Sequence, residues 1–118
     1  MQRLAAILVF PDVEILDFAG PFEVFGAADE TAGGGVLRVV TVAESREAVT
    51  TRNGLRVIPD HTLADCPAAQ LLVIPGGYGT RRLEVSPVML AWIRERARDA
   101  EMSSRPWASN PRISLRRL

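Results

Sequence analysis

The sequence predicts an α/β fold built on a mainly parallel β-sheet. Two apolar runs, residues 4–10 and 71–74, show no alternation of polar and apolar side chains, which is typical of strands buried on both faces. Segments with helical spacing separate the apolar runs. Strands that alternate with helices imply right-handed crossovers and parallel neighbours, and ligands bind at the carboxyl ends of the strands in such sheets.

The first half of the chain contains a strand, a helix and a second strand. The strand at residues 4–10 is followed by a helix that we place at residues 22–30, because Pro21 fits a first helical position. Three consecutive glycines, residues 33–35, end this helix, and residues 36–42 form the second strand.

The second half contains a hairpin, a strand and a helix. Residues 49–58 alternate around Asn53-Gly54, a pair that supplies the two positive-φ residues of a tight turn. Residues 71–74 form a further buried strand. Ser86 and Pro87 then start a helix that should end near Glu101.

Composition excludes several classes of protein. The 118 residues suit one domain, and 47% hydrophobic with 24% charged residues is the balance of a globular chain. A formal net charge of zero argues against nucleic acid or an acidic membrane as a partner. No apolar run could span a membrane and no signal peptide is evident, so we expect a cytoplasmic protein. The single cysteine, Cys66, excludes an internal disulfide and a multi-cysteine zinc site. The single histidine, His61, makes a metal site or a Ser-His-Asp triad harder to build, and we expect no metal or cofactor.

The composition changes abruptly near Met102. Residues 102–118 hold four of the 14 arginines and none of the 14 acids, together with serines and prolines but no apolar run. Because two of the prolines, Pro106 and Pro111, obstruct a central strand, the sheet strand expected after Glu101 is predicted to be missing. We therefore divide the chain into a folded part, residues 1–101, and a disordered basic tail, residues 102–118.

Asp17 is the first candidate for catalysis. It stands among apolar neighbours after the first strand, where partial burial raises the pKa of a carboxyl and suits it to exchange a proton. The alternative is an aspartate that caps the following helix or stabilises a turn.

The segment Pro75-Gly76-Gly77-Tyr78-Gly79 is the second candidate. It follows a buried strand, and the N–H groups of Gly76 and Gly77 could stabilise negative charge in an oxyanion hole or anion site lined by Tyr78. The alternative is a tight strand-to-helix turn. Cys66 precedes the strand, which favours a structural thiol over a nucleophile.

Two segments together resemble a known superfamily. Residues 16–25 read Leu-Asp-x-x-Gly-Pro-x-Glu-Val-Phe, and residues 74–79 read Ile-Pro-Gly-Gly-x-Gly. At this spacing, and with Leu-Ala-Asp-Cys-Pro at residues 63–67, the chain is similar to the PfpI-type branch of the class I glutamine amidotransferase-like proteins, in particular the isonitrile hydratase-like group. The resemblance covers residues 3–101.

The resemblance implies a flavodoxin-like three-layer sandwich that forms a homodimer and acts on a small molecule. Its active members use a cysteine nucleophile on a sharp turn, a nearby carboxylate and backbone donors from a Pro-Gly-Gly turn. By position, Asp17 matches the carboxylate, and Gly76 and Gly77 match the donors. Isonitrile hydratase-like members hydrate an isonitrile to an N-substituted formamide.

The chain departs from the family after Glu101. Where the family carries a Ser-Val-Cys-Thr-Gly-like turn, this chain has Ser103-Ser104-Arg105, and it contains no cysteine after Cys66. About the second half of the family fold is also absent. We therefore expect a partial, truncated sandwich with half of a site, and the tail is interpreted as an out-of-frame ending or a truncated gene product. A genuine short variant with a flexible basic tail is the alternative.

Three functions are consistent with these residues. The first is an isonitrile hydratase-like protein that is inactive as given. The second is a ligand-sensing domain like those that precede the DNA-binding module of AraC-type transcriptional regulators, here without that module. The third is a non-catalytic dimerisation module.

Overall fold

A computed structural model of the chain describes residues 2–75, 87–99, 102–104 and 116–117. Two helices and eight strands lie in these ranges, and their bounds follow chain order: β1 Arg3–Leu8, α1 Ile15–Thr31, β2 Leu37–Ala43, β3 Val49–Thr50, β4 Arg56–Val57, β5 His61–Thr62, β6 Leu71–Val73, α2 Pro87–Asp99, β7 Met102–Ser104 and β8 Arg116–Arg117.

The main sheet has the order β5-β2-β1-β6-β7-β8. Every neighbouring pair in it is parallel except β7 and β8, which run antiparallel. From β1 the chain passes through α1 to β2, toward the β5 edge of the sheet. From β6 it passes through α2 to β7, toward the β8 edge. Right-handed crossovers in opposite directions place α1 and α2 on opposite faces of the sheet. This three-layer arrangement confirms the predicted flavodoxin-like α/β class.

Strand β1 lies at the centre because its side chains are apolar on both faces. Ala5 to Val9 have no exposed surface, and β1 pairs with β2 and β6. Each buried methylene contributes roughly 0.8 kcal/mol of transfer free energy, so this strand anchors the core. The predicted apolar strands at residues 4–10 and 71–74 are thereby confirmed.

Helix α1 begins earlier than the sequence predicted. It runs from Ile15 and contains Pro21, which was predicted to open the helix. The missing N–H of Pro21 removes one internal hydrogen bond. The packing of Phe18 and Phe25 against the core offsets that cost and extends the helix toward β1. The glycines at 33–35 end the helix as predicted, all with positive φ.

The hairpin of β3 and β4 is antiparallel as predicted, but its turn differs. Gly54 has φ of +96°, whereas Asn53 is not in the positive-φ region. Gly54 N–H donates to Thr51 O at 3.0 Å and Thr51 N–H donates to Leu55 O at 2.8 Å. This pattern is a longer loop with a single left-handed glycine, so the predicted two-residue turn is wrong.

Helix α2 buries the apolar face that its spacing predicted. Met89, Trp92, Ile93 and Ala97 are buried, at helical intervals along one side. The predicted end at Glu101 lies outside the described residues, which continue as helix to Asp99.

The strand predicted to be missing after α2 is present. Met102–Ser104 pairs in parallel with β6, and Arg116–Arg117 pairs with it on the other side. The prediction of a missing strand was wrong because strand pairing uses backbone N–H and C=O groups, and a three-residue strand needs no apolar run. The boundary at residue 101 and a disordered tail stay predictions.

Candidate functional site

The carboxyl ends of β1, β2 and β6 meet at one edge of the sheet, since the three strands are parallel. The connections leave β1 and β6 in opposite directions, so the strand order reverses between these two strands. Ligands of open α/β sheets bind outside the carboxyl ends at such a reversal. The loop from Val9 to Glu14, which joins β1 to α1, lies at this edge.

Asp17 lies in the first turn of α1, two residues after the helix begins at Ile15. The residue that caps the helix is Glu14, which makes no side-chain capping bond, so Asp17 is not the N-cap. Partial burial raises the pKa of the Asp17 carboxyl above its usual range, and the neighbouring Glu14 carboxylate raises it further. A carboxyl of this kind holds its proton to a higher pH than an exposed aspartate does.

The β3–β4 hairpin holds the loop that precedes Asp17. The Arg52 guanidinium contacts Glu14, with Nη1 and Oε1 3.1 Å apart. Arg52 N–H also donates to Val13 O at 3.1 Å, and Asp12 N–H donates to Thr50 O at 3.0 Å. The sequence did not indicate this contact, because an ion pair between side chains 38 positions apart leaves no local pattern.

Gly76, Gly77 and Tyr78 lie outside the described residues. The residue before them, Pro75, is fully buried at the end of β6. Because Val73 pairs with Ile7, β6 ends at the same edge of the sheet as β1. The role of the two glycines as backbone donors stays a prediction.

Cys66 lies beside the C-terminal half of α2, whereas Asp17 lies in α1. Its carbonyl oxygen accepts a hydrogen bond from Arg96 Nη2 at 2.8 Å, and its thiol donates to Pro67 O at 3.4 Å. Cys66 is 4% exposed, and burial raises the pKa of its thiol while the nearby Arg96 partly opposes that rise. A protonated, buried thiol is a poor nucleophile.

A cleft of about 400 Å³ opens at the same edge of the sheet as the β1–α1 loop. Residues after β1, the segment after β2 and Met89 of α2 line it, but Asp17 does not. The sequence analysis did not single out this cleft, although residues 44–47 directly follow the predicted second strand and would therefore lie at a carboxyl edge. No group of three metal-ligating side chains occurs within the ranges that the structure describes.

A family model described as the DJ-1/PfpI family matches residues 3–104. The chain belongs to the DJ-1/PfpI family. The resemblance drawn from the two sequence motifs is thereby confirmed, and the matched range includes β7. The isonitrile hydratase of Pseudomonas putida is 32% identical to this DJ-1/PfpI chain over 100 residues, which are 85% of this chain and 41% of that protein.

Solved structures of other proteins share the fold. A THiJ/PfpI family protein from Pseudomonas syringae superposes with a TM-score of 0.80 at 29% identity, covering 89% of this chain and 42% of that one. A putative transcriptional regulator from Vibrio parahaemolyticus gives 0.73 at 18% identity, covering 89% and 56%, and at this identity shows the fold alone. This DJ-1/PfpI chain therefore spans about two fifths of the length of the isonitrile hydratase and of the Pseudomonas syringae protein. No described helix is long and apolar enough to cross a membrane.

Proposed function

We propose that this chain is the N-terminal part of an isonitrile hydratase-like domain, with Asp17 as its proton-exchanging carboxyl, and that the chain alone does not hydrate isonitriles. Hydration of R–N≡C to R–NH–CHO adds oxygen and hydrogen to the terminal carbon and hydrogen to nitrogen. Two protons must therefore be delivered in the course of the reaction. The raised pKa of the partly buried Asp17 supports this role, because a general acid works best when its pKa lies near the working pH.

The proposal that the chain is inactive rests on the burial and protonation of the Cys66 thiol. Family members attack the substrate with a thiolate, and Cys66 is the one cysteine in the sequence. Its thiol is buried beside α2, donates to Pro67 O and has a raised pKa. Asp17 therefore has no usable thiolate as a partner in this chain.

Turnover of a simple isonitrile tests the proposal. The purified chain is incubated with cyclohexyl isonitrile at pH 7, and formamide production is followed by NMR, with the isonitrile hydratase of Pseudomonas putida as the positive control. We expect no formamide above the buffer background, and the same result for Cys66→Ser. Turnover that is lost in Asp17→Ala would overturn the proposal of inactivity.

Ligand sensing is the second candidate. Its support is the fold shared with the putative transcriptional regulator of Vibrio parahaemolyticus and a cleft at the carboxyl edge of the sheet. Saturable binding of a small molecule without its chemical conversion would favour this function. Nucleic acid is not a proposed partner of the chain, whose formal net charge is zero.

We also infer that the chain forms a homodimer in the cytoplasm. Helix α1 supports a dimer because Leu16 and Val24 are 81% and 63% exposed, and exposed apolar side chains on a helix favour association. Sedimentation velocity should show a dimer that Leu16→Glu weakens, whereas Leu55→Glu on the hairpin should not. A single species of 12.9 kDa would contradict the dimer.

A further inference from the structure

We propose that the short strand β8 blocks the outer edge of β7 and thereby prevents β7 from pairing with β7 of a second copy of the chain. The main sheet, as far as the structure describes it, ends in β5 on one side and in β8 on the other. The proposal goes beyond the proposed function, because it involves neither Asp17 nor the exposed side chains of α1. It gives a role to residues 116 and 117, which lie in the segment predicted to be disordered.

The β5 edge shows how this sheet closes an edge locally. Thr62 N–H donates to the Asp65 carboxylate at 2.8 Å, and Thr62 O accepts from the Cys66 N–H at 3.1 Å. Thr62 belongs to β5, whose other side pairs with β2. Because the turn that follows β5 satisfies both backbone groups of Thr62, these groups are not free to pair with an added strand.

The outer edge of β7 is closed by a different means. Strand β7 is three residues long and pairs in parallel with β6. On its other side, Met102 pairs with Arg117 and Ser103 pairs with Arg116, and the two strands run antiparallel. A row of unpaired N–H and C=O groups at a sheet edge is a template for a strand from another chain. Strand β8 occupies that row on β7.

A second copy of the chain fits the same edge, because this edge already accepts an antiparallel strand. Two copies related by a twofold axis would bring their β7 strands together in the antiparallel orientation. The central residue of β7, Ser103, would then face Ser103 of the second copy, and two sheets would join into one. Pairing with β8 and pairing with a second β7 are therefore mutually exclusive.

Strand β8 is itself poorly suited to accept a further strand. It is two residues long, and its sequence is Arg-Arg. Short strands and positive charges at a sheet edge disfavour the addition of another strand. The sequence of residues 102–118 holds four arginines and no acid, so this segment adds no compensating negative charge. Replacing the open edge of β7 by β8 thus limits association of the sheet.

Proline variants test the block in the full chain. Arg116→Pro/Arg117→Pro removes two backbone N–H groups and disfavours β8. Both this variant and the original are measured with Leu16→Glu added, so that a dimer through α1 does not contribute. At equal concentration, sedimentation equilibrium should give the proline variant about twice the mass of its parent. Arg116→Gln/Arg117→Gln removes the same charges, keeps the N–H groups, and should leave the mass unchanged.

A cysteine at position 103 reports which strand pairs with β7. In Ser103→Cys/Arg116→Cys, oxidation should join the two cysteines within one chain, because paired residues of antiparallel strands have Cα atoms about 4.5–5.5 Å apart, a distance that a disulfide spans. Ser103→Cys/Arg112→Cys is the matched control and should form its link more slowly. In Ser103→Cys with both proline substitutions, the link should instead join two chains. Peptide mass spectrometry distinguishes these links from any that involve Cys66.

Three results would overturn the proposal. These are an unchanged mass of the proline variant, an equal rise in mass of the glutamine variant, and a control with Arg112→Cys that links as fast as the pair with Arg116→Cys. If far-UV circular dichroism shows that the proline variant is unfolded, the two linking rates decide the matter.

Discussion

Burial acts on two ionisable groups of this chain, Asp17 and Cys66, with opposite consequences for their reactivity. Burial raises the pKa of both groups. For the Asp17 carboxyl this brings the pKa nearer to neutral pH, where proton exchange is useful. For the Cys66 thiol it moves the pKa further from neutral pH, so less of the reactive thiolate is present. One physical cause therefore favours chemistry at the start of α1 and suppresses it beside α2.

The largest expected effect comes from removing a core side chain that is bonded to Leu63, three residues before Cys66. Trp92 is buried on α2, and its Nε1 donates to Leu63 O at 2.9 Å. Trp92→Ala should lower the free energy of unfolding by about 3–5 kcal/mol, measured by urea denaturation, and should speed thiol labelling of Cys66. Trp92→Phe keeps a ring and should cost about 1 kcal/mol through the lost hydrogen bond. Slow labelling in Trp92→Ala would show that other contacts bury the thiol.

The next test changes the charge beside Cys66. Arg96 lowers the pKa of that thiol and donates to the carbonyl oxygens of Cys66 and Pro67 at 2.8 and 3.2 Å. Arg96→Ala should shift the midpoint of the alkylation rate against pH to higher pH and cost about 1–2 kcal/mol of stability. Arg96→Lys should keep the midpoint near that of the original chain, and a shift as large as in Arg96→Ala would rule out a charge effect.

A smaller effect concerns stability and the charge of Asp17. Because the pKa of Asp17 is raised in the folded state, the folded protein binds its proton more tightly than the unfolded chain does. The stability that this proton contributes is fully present below the pKa that Asp17 has in the unfolded chain. It is lost as the pH rises through the pKa that Asp17 has in the folded protein. Asp17→Asn should therefore raise the free energy of unfolding slightly at pH 7 and not at about pH 3. Thermal unfolding at the two pH values measures this, and a loss of stability at pH 7 would contradict it.

The smallest effect tests the contact between the hairpin and α1. Glu14 raises the pKa of Asp17, so Glu14→Gln should lower that pKa toward the usual range of an aspartate. The carboxyl 13C shift of Asp17 against pH gives the midpoint. Arg52→Ala removes the partner of Glu14, should move the midpoint in the other direction, and should cost about 0.2–1 kcal/mol of stability. If Glu14→Gln and Arg52→Ala both leave the Asp17 midpoint where it is in the original chain, the ion pair does not influence the pKa of Asp17.

The comparison also shows how far the sequence could predict the site. The positions of Asp17 and Cys66 relative to the strands predict different roles for them, and the structure places Asp17 in α1 and Cys66 beside α2. The surroundings that fix their pKa values were not predictable. Arg52 contacts Glu14 and Arg96 contacts Cys66 across long stretches of chain, and such contacts depend on how the elements pack. The cleft of about 400 Å³ at the carboxyl ends of β1 and β2 was missed for the same reason, since three separate segments line it.

The fold was predictable where one residue type dominated a segment. The apolar runs at residues 4–10 and 71–74 determined the buried parallel strands, and the two motifs determined the family. Predictions failed where packing overrode a local preference. Pro21 lies inside α1 instead of opening it, and Met102–Ser104 pairs as a strand without an apolar run.

The sequence by itself determined the buried strands at residues 4–10 and 71–74, the family and the position of Asp17 after the first strand, because hydrophobic runs and contiguous motifs are local properties. Only the tertiary structure decided which charges neighbour Asp17, how deeply Cys66 is buried and which segments line the cleft at the carboxyl ends of β1 and β2. Proton affinity and the lining of a cleft depend on distances between segments far apart in the chain, and folding fixes those distances.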